Sequence, residues 1–376
     1  MSLDPSLKTP LLGGLSPEQF MRRYWQKKPV VIRQAVPGVV PPIDRSALFE
    51  LAGRDEVESR LVVQGANDWR LKHGPFTRRQ IPSAKQAGWT LLVQGLDLHV
   101  PAAHELLSRF RFVPEARLDD LMISYASDGG GVGAHIDSYD VFLLQVSGTR
   151  RWRCGPVKDD TLVEGLPVRI LANFEPTEEW VLEPGDMLYV PPRWGHDGIA
   201  VGDDCMTCSI GFRTPTPTDM ARGVLQRMID ALETDPTEPH YRDPAGSATA
   251  TPGRIPEAMQ TFAAKAVIDA LNDARSLACA LGESLTEPKA SVWFEGGDVL
   301  PDGAGVRLDD RSRMMYDDHH VFINGESFRA GGKDARLLRQ LADERMLSAK
   351  SLGQFSDGAR ELLNDWACDG WLRSDA

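Results

Sequence analysis

The sequence has few cysteines, no long apolar stretch and a shortage of positive charge. Five cysteines among 376 residues are too few, and odd in number, for a disulfide framework, so we expect free thiols and a cytoplasmic protein. The sequence contains no run of eighteen apolar residues, so we expect no membrane-spanning helix. The N-terminus lacks the features of a signal peptide. The net charge of −12 disfavours contact with a bare phosphate backbone and favours a basic polypeptide as partner.

Composition and periodicity predict three units along the chain. Hydrophobic residues make up 42% and charged residues 26%, as in globular proteins. Residues 120–214 read as strands separated by Gly and Pro turns, a pattern typical of a double-stranded β-helix, the cupin or jelly-roll barrel. After Pro217 the apolar period changes from two to 3.6, which predicts two helices, one with an apolar face from Met220 to Leu232 and one with an apolar face from Met259 to Leu281. The last part mixes short strands with small helices. We therefore expect boundaries at 1–215, 216–290 and 291–376.

A histidine and a carboxylate stand two residues apart in the middle of the barrel segment. His135 and Asp137 would share one face of a β-strand, and His196 lies downstream as a candidate third ligand. Two histidines and one carboxylate form the facial triad of non-haem iron(II) oxygenases, whose open face takes a chelating cosubstrate and dioxygen. A His-x-Asp pair alone is often accidental and could belong to an ordinary polar strand. Its neighbours therefore decide between the two interpretations.

The segments beside this pair favour the metal site. Glycines from Gly129 to Gly133 precede it and would permit close approach of a ligand. The run VFLLQV follows as a buried strand, and Ser147-Gly148 predicts a turn into a second strand. On that second strand Arg150 shares a face with Trp152. An arginine inside the barrel would need an anion, which a dicarboxylate cosubstrate supplies. Alternation alone leaves open whether this face or the opposite one points inward.

The segments GGGVGAHIDSYDVFLLQ, GTRRWR and PGDMLYVPPRWGHDG resemble those of the JmjC-type ribosomal oxygenases, which are cupin-like protein hydroxylases. The likeness is greatest to the bacterial branch that hydroxylates an arginine of a large-subunit ribosomal protein. It implies His135, Asp137 and His196 as ligands of Fe(II). It also implies that Arg150 and Ser124 bind the cosubstrate 2-oxoglutarate.

The resemblance also implies an architecture and an assembly. It assigns residues 1–215 to a mainly β catalytic domain, the JmjC or cupin jelly roll, and residues 216–290 to an α-helical dimerisation region. Residues 291–376 become a C-terminal winged-helix-like domain. In that last unit Asp and Glu outnumber Lys and Arg by sixteen to eleven, so we expect no direct DNA binding. The expected assembly is a homodimer that acts on a basic ribosomal protein.

The implied activity is that of a 2-oxoglutarate- and Fe(II)-dependent dioxygenase. Its implied target is the β-carbon of an arginine (3-hydroxylation) in the large-subunit ribosomal protein L-sixteen. A histidyl hydroxylase of a ribosomal protein and a JmjC lysine demethylase would use the same metal and cosubstrate residues, so both stay open. A non-catalytic cupin that serves as a binding or scaffold protein is an alternative of another class. The complete triad argues against this last alternative.

Four residues near the ligands in sequence are candidates to contact a basic substrate. Tyr139, Asp140 and Asp197 could lie at the rim or could simply belong to the barrel structure. Asp128 and Asp140 are the carboxylates that we expect to hold a substrate guanidinium.

Two further motifs offer metal-binding residues but favour other interpretations. Cys205 and Cys208 form a CxxC, but no second cysteine pair completes a zinc site, so both are read as structural. His319 and His320 would point to opposite sides of a strand, which favours a solvated pair.

Overall fold

The structure is a computed structural model that describes residues 4–65, 68–232, 237, 240–244 and 246–375. Its helices are α1 (Pro17–Arg23), α2 (Arg45–Leu51), α3 (Pro101–Ser108), α4 (Pro217–Asp230), α5 (Glu257–Leu271), α6 (Ala274–Thr286), α7 (Gly332–Glu344), α8 (Ala349–Leu352) and α9 (Asp357–Cys368). Its strands are β1 (Val30–Ile32), β2 (Ser59–Gln64), β3 (Trp69–His73), β4 (Trp89–Val93), β5 (Leu118–Ala126), β6 (Val141–Pro156), β7 (Glu178–Leu182), β8 (Met187–Val190), β9 (Trp194–Phe212), β10 (Gly305–Leu308), β11 (Met314–Tyr316), β12 (His320–Ile323), β13 (Glu326–Arg329), β14 (Met346–Leu347) and β15 (Leu372–Asp375).

A nine-stranded antiparallel sheet forms the first part of the chain. Its strand order is β1-β8-β6-β9-β5-β4-β2-β3, and β7 pairs with β6 outside this order. The two longest strands, β6 and β9, pair from Val141 opposite Gly211 to Pro156 opposite Trp194. This sheet is the predicted cupin-like β-helix, and it places the end of β6 beside the start of β9. The fold class expected from the sequence is therefore confirmed.

The segment around Ser147-Gly148 is a bend within one strand, so the predicted turn between two strands is wrong. β6 continues through it, and its register against β9 shifts on either side of Ser147. Gly148 has φ +63°, and a Cβ there would lie 2.9 Å from the backbone oxygen of Asp204. A glycine with positive φ marks a β-bulge as well as a turn. Only the pairing with β9 distinguishes the two.

The N-terminal segment covers the outer face of the sheet. The local sequence accounts for the start of α1, because Ser16 and Gln19 form a capping box and Pro17 occupies the first turn. Phe20 of α1 is fully buried and packs edge-on against Tyr189 of β8, with ring centroids 5.2 Å apart. This packing leaves the other face of β6 and β8 for the barrel interior.

Three helices follow the barrel where the apolar pattern predicted two. The predicted second helix is interrupted after α5, since the side chain of Asp273 accepts a hydrogen bond from the amide of Arg275 and caps α6. α5 has no buried residue among its fifteen, although Phe262 and Ile268 are large apolar side chains and are 46% and 55% exposed. An apolar helix with no buried face is incomplete by itself.

The C-terminal unit has its own core and two small sheets, β14-β10-β15 and β11-β12-β13. His320 lies in β12, is only 7% exposed and contacts the Asp317 carboxylate, so the prediction of a solvated His319-His320 pair is wrong for this residue. Arg111 joins this unit to the barrel by donating to the carbonyl oxygens of Ala342 and Asp343. None of the helices in the described ranges has the length and apolar character to cross a bilayer.

Candidate metal centre

Three side chains from two separate parts of the barrel segment converge at one point. Nε2 of His196 lies 3.5 Å from Oδ2 of Asp137, and Nε2 of His135 lies 4.0 Å from the same oxygen. Within the described residues this is the one cluster of three or more His, Cys, Asp or Glu side chains that could hold a metal ion, with all ligand atoms within 4.8 Å of one another. The donor set of two imidazoles and one carboxylate fits a ferrous ion.

The backbone brings the two histidines together in a way that the sequence does not reveal. His135 and His196 form an isolated antiparallel bridge, in which each amide donates to the other residue's carbonyl oxygen at 3.0 and 2.9 Å. His135 and Asp137 do not belong to a regular strand, so the predicted strand context of the pair is wrong. The backbone bridge between His135 and His196 at the start of β9 brings the ligands together. Strand alternation was expected to do this.

The outer nitrogens of both imidazoles contact backbone carbonyls. Nδ1 of His135 lies 2.9 Å from the oxygen of Gly133, and Nδ1 of His196 lies 3.2 Å from the oxygen of Trp194. A carbonyl only accepts, so each Nδ1 carries the proton and each Nε2 keeps its lone pair for a metal. Burial, and then the neighbouring His135, lower the pKa of His196 to about 4. Both effects favour the neutral imidazole that binds a metal ion.

The glycines before His135 permit close packing of the backbone. A Cβ on Gly131 would lie 2.7 Å from the carbonyl oxygen of Gly198, and one on Gly133, which has φ +83°, would lie 2.7 Å from Ile170. Leu171, next to Ile170, donates its amide to the carbonyl of Ala134. The glycine segment is therefore clamped between β9 and the loop at residues 157–177.

Arg150 points into the barrel and is only 4% exposed. Its Nη1 donates to Oγ of Ser124 at 3.0 Å and to Oγ1 of Thr207 at 3.1 Å, while its Nε is buried without a partner. None of the described carboxylates forms an ion pair with it, and burial lowers its pKa. A buried guanidinium without a counter-ion is costly. The site therefore fits an anion such as the distal carboxylate of 2-oxoglutarate.

Thr207 is the site residue that the sequence reasoning missed. It stands opposite both Ser124 of β5 and Gln145 of β6, and its hydroxyl donates to Oε1 of Gln145 while accepting from Arg150. Its position in the segment CMTCSIGF gave no signal, because a threonine in a strand is commonplace. Cys205 and Cys208 on either side of it are buried free thiols, as the structural interpretation of the CxxC predicted.

Two of the expected rim carboxylates are already occupied inside the protein. Asp140 has no exposed surface and accepts from the hydroxyl of Tyr189 at 2.6 Å and from the side chains of Gln26 and Arg117. Its expected contact with a substrate guanidinium is therefore wrong. Asp197 pairs with Arg153 on the strand face opposite His196, so it too serves the barrel. Proximity in sequence to the ligands did not indicate which face each side chain takes.

The other two rim candidates remain accessible. Tyr139 is 39% exposed, and its pKa is raised by burial of its hydroxyl and then by the neighbouring Asp137 carboxylate. Asp128 is exposed and anchored, since its Oδ1 accepts from the amide of Gly202 at 2.8 Å.

Known proteins share both the sequence pattern and this fold. Residues 105–220 match the JmjC domain family, and residues 266–373 match the ROXA-like winged helix family. The chain is 32% identical to the ribosomal protein uL16 3-hydroxylase of Escherichia coli, over 89% of this chain and 90% of that protein. It is 30% identical to a probable ribosomal oxygenase of Haemophilus influenzae, over 95% and 96%. A solved structure of the Escherichia coli ribosomal oxygenase YcfD in complex with cobalt and 2-oxoglutarate superposes with a TM-score of 0.79 at 27% identity, covering 96% of this chain and 99% of that one. The chain belongs to the JmjC-domain ribosomal oxygenases, a family of 2-oxoglutarate-dependent protein hydroxylases.

Proposed function

We propose that this protein hydroxylates the β-carbon of an arginine in ribosomal protein uL16, using Fe(II) and 2-oxoglutarate. The observation that supports the cosubstrate is Arg150, which is buried in the barrel and forms no ion pair with a carboxylate of the described residues. The proposed substrate rests on the similarity to the Escherichia coli uL16 3-hydroxylase, because the match covers 90% of that protein.

The residues take separate roles in this proposal. His135, Asp137 and His196 hold the metal on one face, and Asp137 supplies the negative charge among them. Arg150 binds the distal carboxylate of 2-oxoglutarate, and Ser124 with Thr207 fixes the guanidinium by accepting from its Nη1. When bound, the metal and cosubstrate supply the activation of dioxygen that oxidises an unactivated carbon.

The protein's own contribution is to position groups and exclude water. The Nδ1 contacts of His135 and His196 fix both rings, so that the ligand atoms need no reorientation when the metal binds. Leu188 and Val190 belong to the buried apolar cluster that also contains Trp152 and Cys154 of β6, and an apolar surrounding of this kind excludes water from a site. An arginine of the substrate must present its aliphatic stem to the open metal face while its guanidinium stays at the rim.

Charge near the metal supports a basic substrate. The loop at residues 157–177 contacts the segment that carries His135, and it bears Asp159, Asp160, Glu164 and Glu175 against two basic residues. Asp128 is the exposed carboxylate that we propose as the partner of the substrate guanidinium. The protein's net charge of −12 acts in the same direction by attracting a basic chain.

The direct test is incubation of a uL16 loop peptide with the protein, Fe(II) and 2-oxoglutarate, followed by tandem mass spectrometry. We expect a mass increase of one oxygen on the β-carbon of one arginine, and no increase with the Asp137→Ala variant. Oxygen on a histidine would instead indicate the histidyl branch. Formaldehyde released from methylated lysine would indicate a demethylase, and no succinate with any substrate would indicate a non-catalytic cupin.

We further propose that the protein is a homodimer joined through α4, α5 and α6. The exposed apolar residues of these helices form what we call the helical face: Leu225, Ile229, Met259, Phe262, Val267, Ile268, Leu271, Leu277 and Leu281. A second copy of this chain presents the same apolar residues and can cover them by twofold symmetry. The domain limits 1–215, 216–290 and 291–376, the cytoplasmic location and the absence of direct DNA binding stay predictions.

A further inference from the structure

Trp152 of β6 carries a buried hydrogen-bond donor that has no acceptor among the described residues. The indole Nε1 of Trp152 is buried and has no partner, and the side chain is only 5% exposed. A buried donor left unpaired is costly, and each such group in a native protein calls for an explanation. Among the described residues one other indole N–H shares this state, that of Trp366 in the C-terminal core. Trp366 is remote in sequence and in fold from the metal centre.

The Trp152 ring is held in one place beside the candidate site. It packs on the backbone of Gly198, where a Cβ would lie 2.6 Å from the ring, so the position requires glycine. The ring centroid is 6.0 Å from that of His196 and 5.2 Å from Cζ of Arg150. The Trp152 ring therefore lies between the candidate metal ligand His196 and the Arg150 guanidinium, which lacks a counter-ion.

Strand register explains this arrangement. Arg150, Trp152 and Cys154 alternate along β6 and stand opposite Ala200, Gly198 and His196 of β9. Side chains directly opposite each other in an antiparallel pair share a face. Trp152 thus lies midway between Arg150 and the residue opposite His196, on the inner face that both occupy.

We propose that the indole N–H of Trp152 donates a hydrogen bond to a carboxylate oxygen of bound 2-oxoglutarate. This inference rests on the proposed function, because it requires a cosubstrate that extends from the triad to Arg150. Such a molecule must pass the Trp152 ring, and its carboxylates are the strongest acceptors that could satisfy the orphan donor. Trp152 is then a binding residue that works together with Arg150.

Nuclear magnetic resonance of the tryptophan indole groups tests this on the whole protein. The chain, labelled with ¹⁵N on its nine tryptophans and loaded with Zn²⁺ to prevent turnover, is titrated with 2-oxoglutarate. The Trp152 signal, assigned by its loss in Trp152→Phe or Trp152→Tyr, should move downfield on binding. The Trp366 signal, assigned with Trp366→Phe, should stay in place. An unchanged Trp152 signal at saturating 2-oxoglutarate would overturn the inference.

Calorimetry with Mn²⁺ gives a second measurement without catalysis. We expect Trp152→Phe to weaken 2-oxoglutarate binding by roughly tenfold or more, the range of a hydrogen bond to a charged group. Trp366→Phe removes a buried, unpaired indole N–H of the same kind and should leave the affinity unchanged. Equal affinities of Trp152→Phe and the unmodified protein would contradict the inference while leaving the proposed function intact. If the unmodified protein does not bind 2-oxoglutarate, the proposed function itself fails.

Discussion

Among the metal ligands Asp137 is the one that carries a charge. We predict that Asp137→Ala loses Fe(II) binding and activity while the protein stays folded, because it removes the anionic ligand of the facial triad and leaves two imidazoles to hold the ion. The side chain is 20% exposed, so its removal leaves no large cavity. Metal content after dialysis and turnover of 2-oxoglutarate measure the effect. Asp128→Ala is the control for metal binding, and full iron content in Asp137→Ala would disprove the triad.

The buried Arg150 should affect binding and stability in opposite directions. We predict that Arg150→Met weakens 2-oxoglutarate binding by about 1.5–3 kcal/mol or more, since it removes a charge-assisted donor. The apo protein should keep or gain stability, because an uncompensated buried charge is replaced by an apolar chain of similar length. Calorimetric binding and thermal unfolding of the apo form measure the two effects. Arg151→Met, on the opposite strand face, is the matched control, and an equal loss of affinity there would contradict the assignment.

At the scale of structural elements, Asp140 joins three parts of the barrel. It accepts from Gln26 after α1, from Arg117 before β5 and from Tyr189 of β8. We predict that Asp140→Ala lowers the free energy of unfolding by about 3 kcal/mol, since it leaves a buried tyrosine hydroxyl without an acceptor. The Michaelis constant for the peptide substrate should not change in the folded fraction. Urea unfolding and steady-state kinetics test both parts. A raised Michaelis constant with unchanged stability would show that Asp140 contacts the substrate instead.

At the scale of the whole molecule, a charged interface joins the barrel to the segment after α6, where Lys289 pairs with Asp119 and Asp120. Asp97 is buried there beside Asp120 and near Lys289, and burial followed by the Asp120 charge raises its pKa to about 7. An acid with a raised folded pKa stabilises the fold below its unfolded pKa and loses this contribution as pH rises through the folded value. We therefore predict that Asp97→Asn has the same free energy of unfolding as the unmodified protein near pH 4. At pH 8 its free energy of unfolding should be higher by up to about 4 kcal/mol. Urea unfolding across this pH range measures the difference.

Asp119 in the same interface provides a control of opposite sign. Burial pushes its pKa up, but Lys289 and Arg213 outweigh burial and hold the pKa below its ordinary value. Asp119→Asn should therefore destabilise the protein at pH 8, with a loss that shrinks as pH falls through the folded pKa. If the free energy of unfolding of both variants changed with pH in the same direction relative to the unmodified protein, the assignment of opposite pKa shifts to Asp97 and Asp119 would be wrong.

The helical face predicts the assembly. We expect light scattering to give twice the chain mass of 41.5 kDa, and Phe262→Glu to give the single-chain mass, because a charge placed in an apolar contact is not solvated there. Val40→Glu changes another exposed apolar residue, 79% exposed, and should leave the dimer intact. A monomer in both the unmodified protein and the controls would refute the dimer.

The sequence by itself determined the barrel, the helices after it and the identity of the three candidate ligands. These follow from local chemistry: the apolar run at the start of β6, the cap at Ser16, and histidine and carboxylate side chains of the right type for iron. The motif around His135 also indicated the family, which the comparisons confirmed. All of this information lies within a few residues of each position.

Tertiary structure alone decided which face each side chain takes. Arg150 and Asp140 are both charged residues in or beside β6, and only pairing with β9 and packing of α1 place one in the barrel interior and the other in a structural network. The same holds for Thr207, which becomes a partner of Arg150 through strand register, and for Gly148, where a bulge replaced the predicted turn. Strand alternation fixes relative orientation within one segment. Its absolute direction depends on which element covers the opposite face, and that element is distant in sequence.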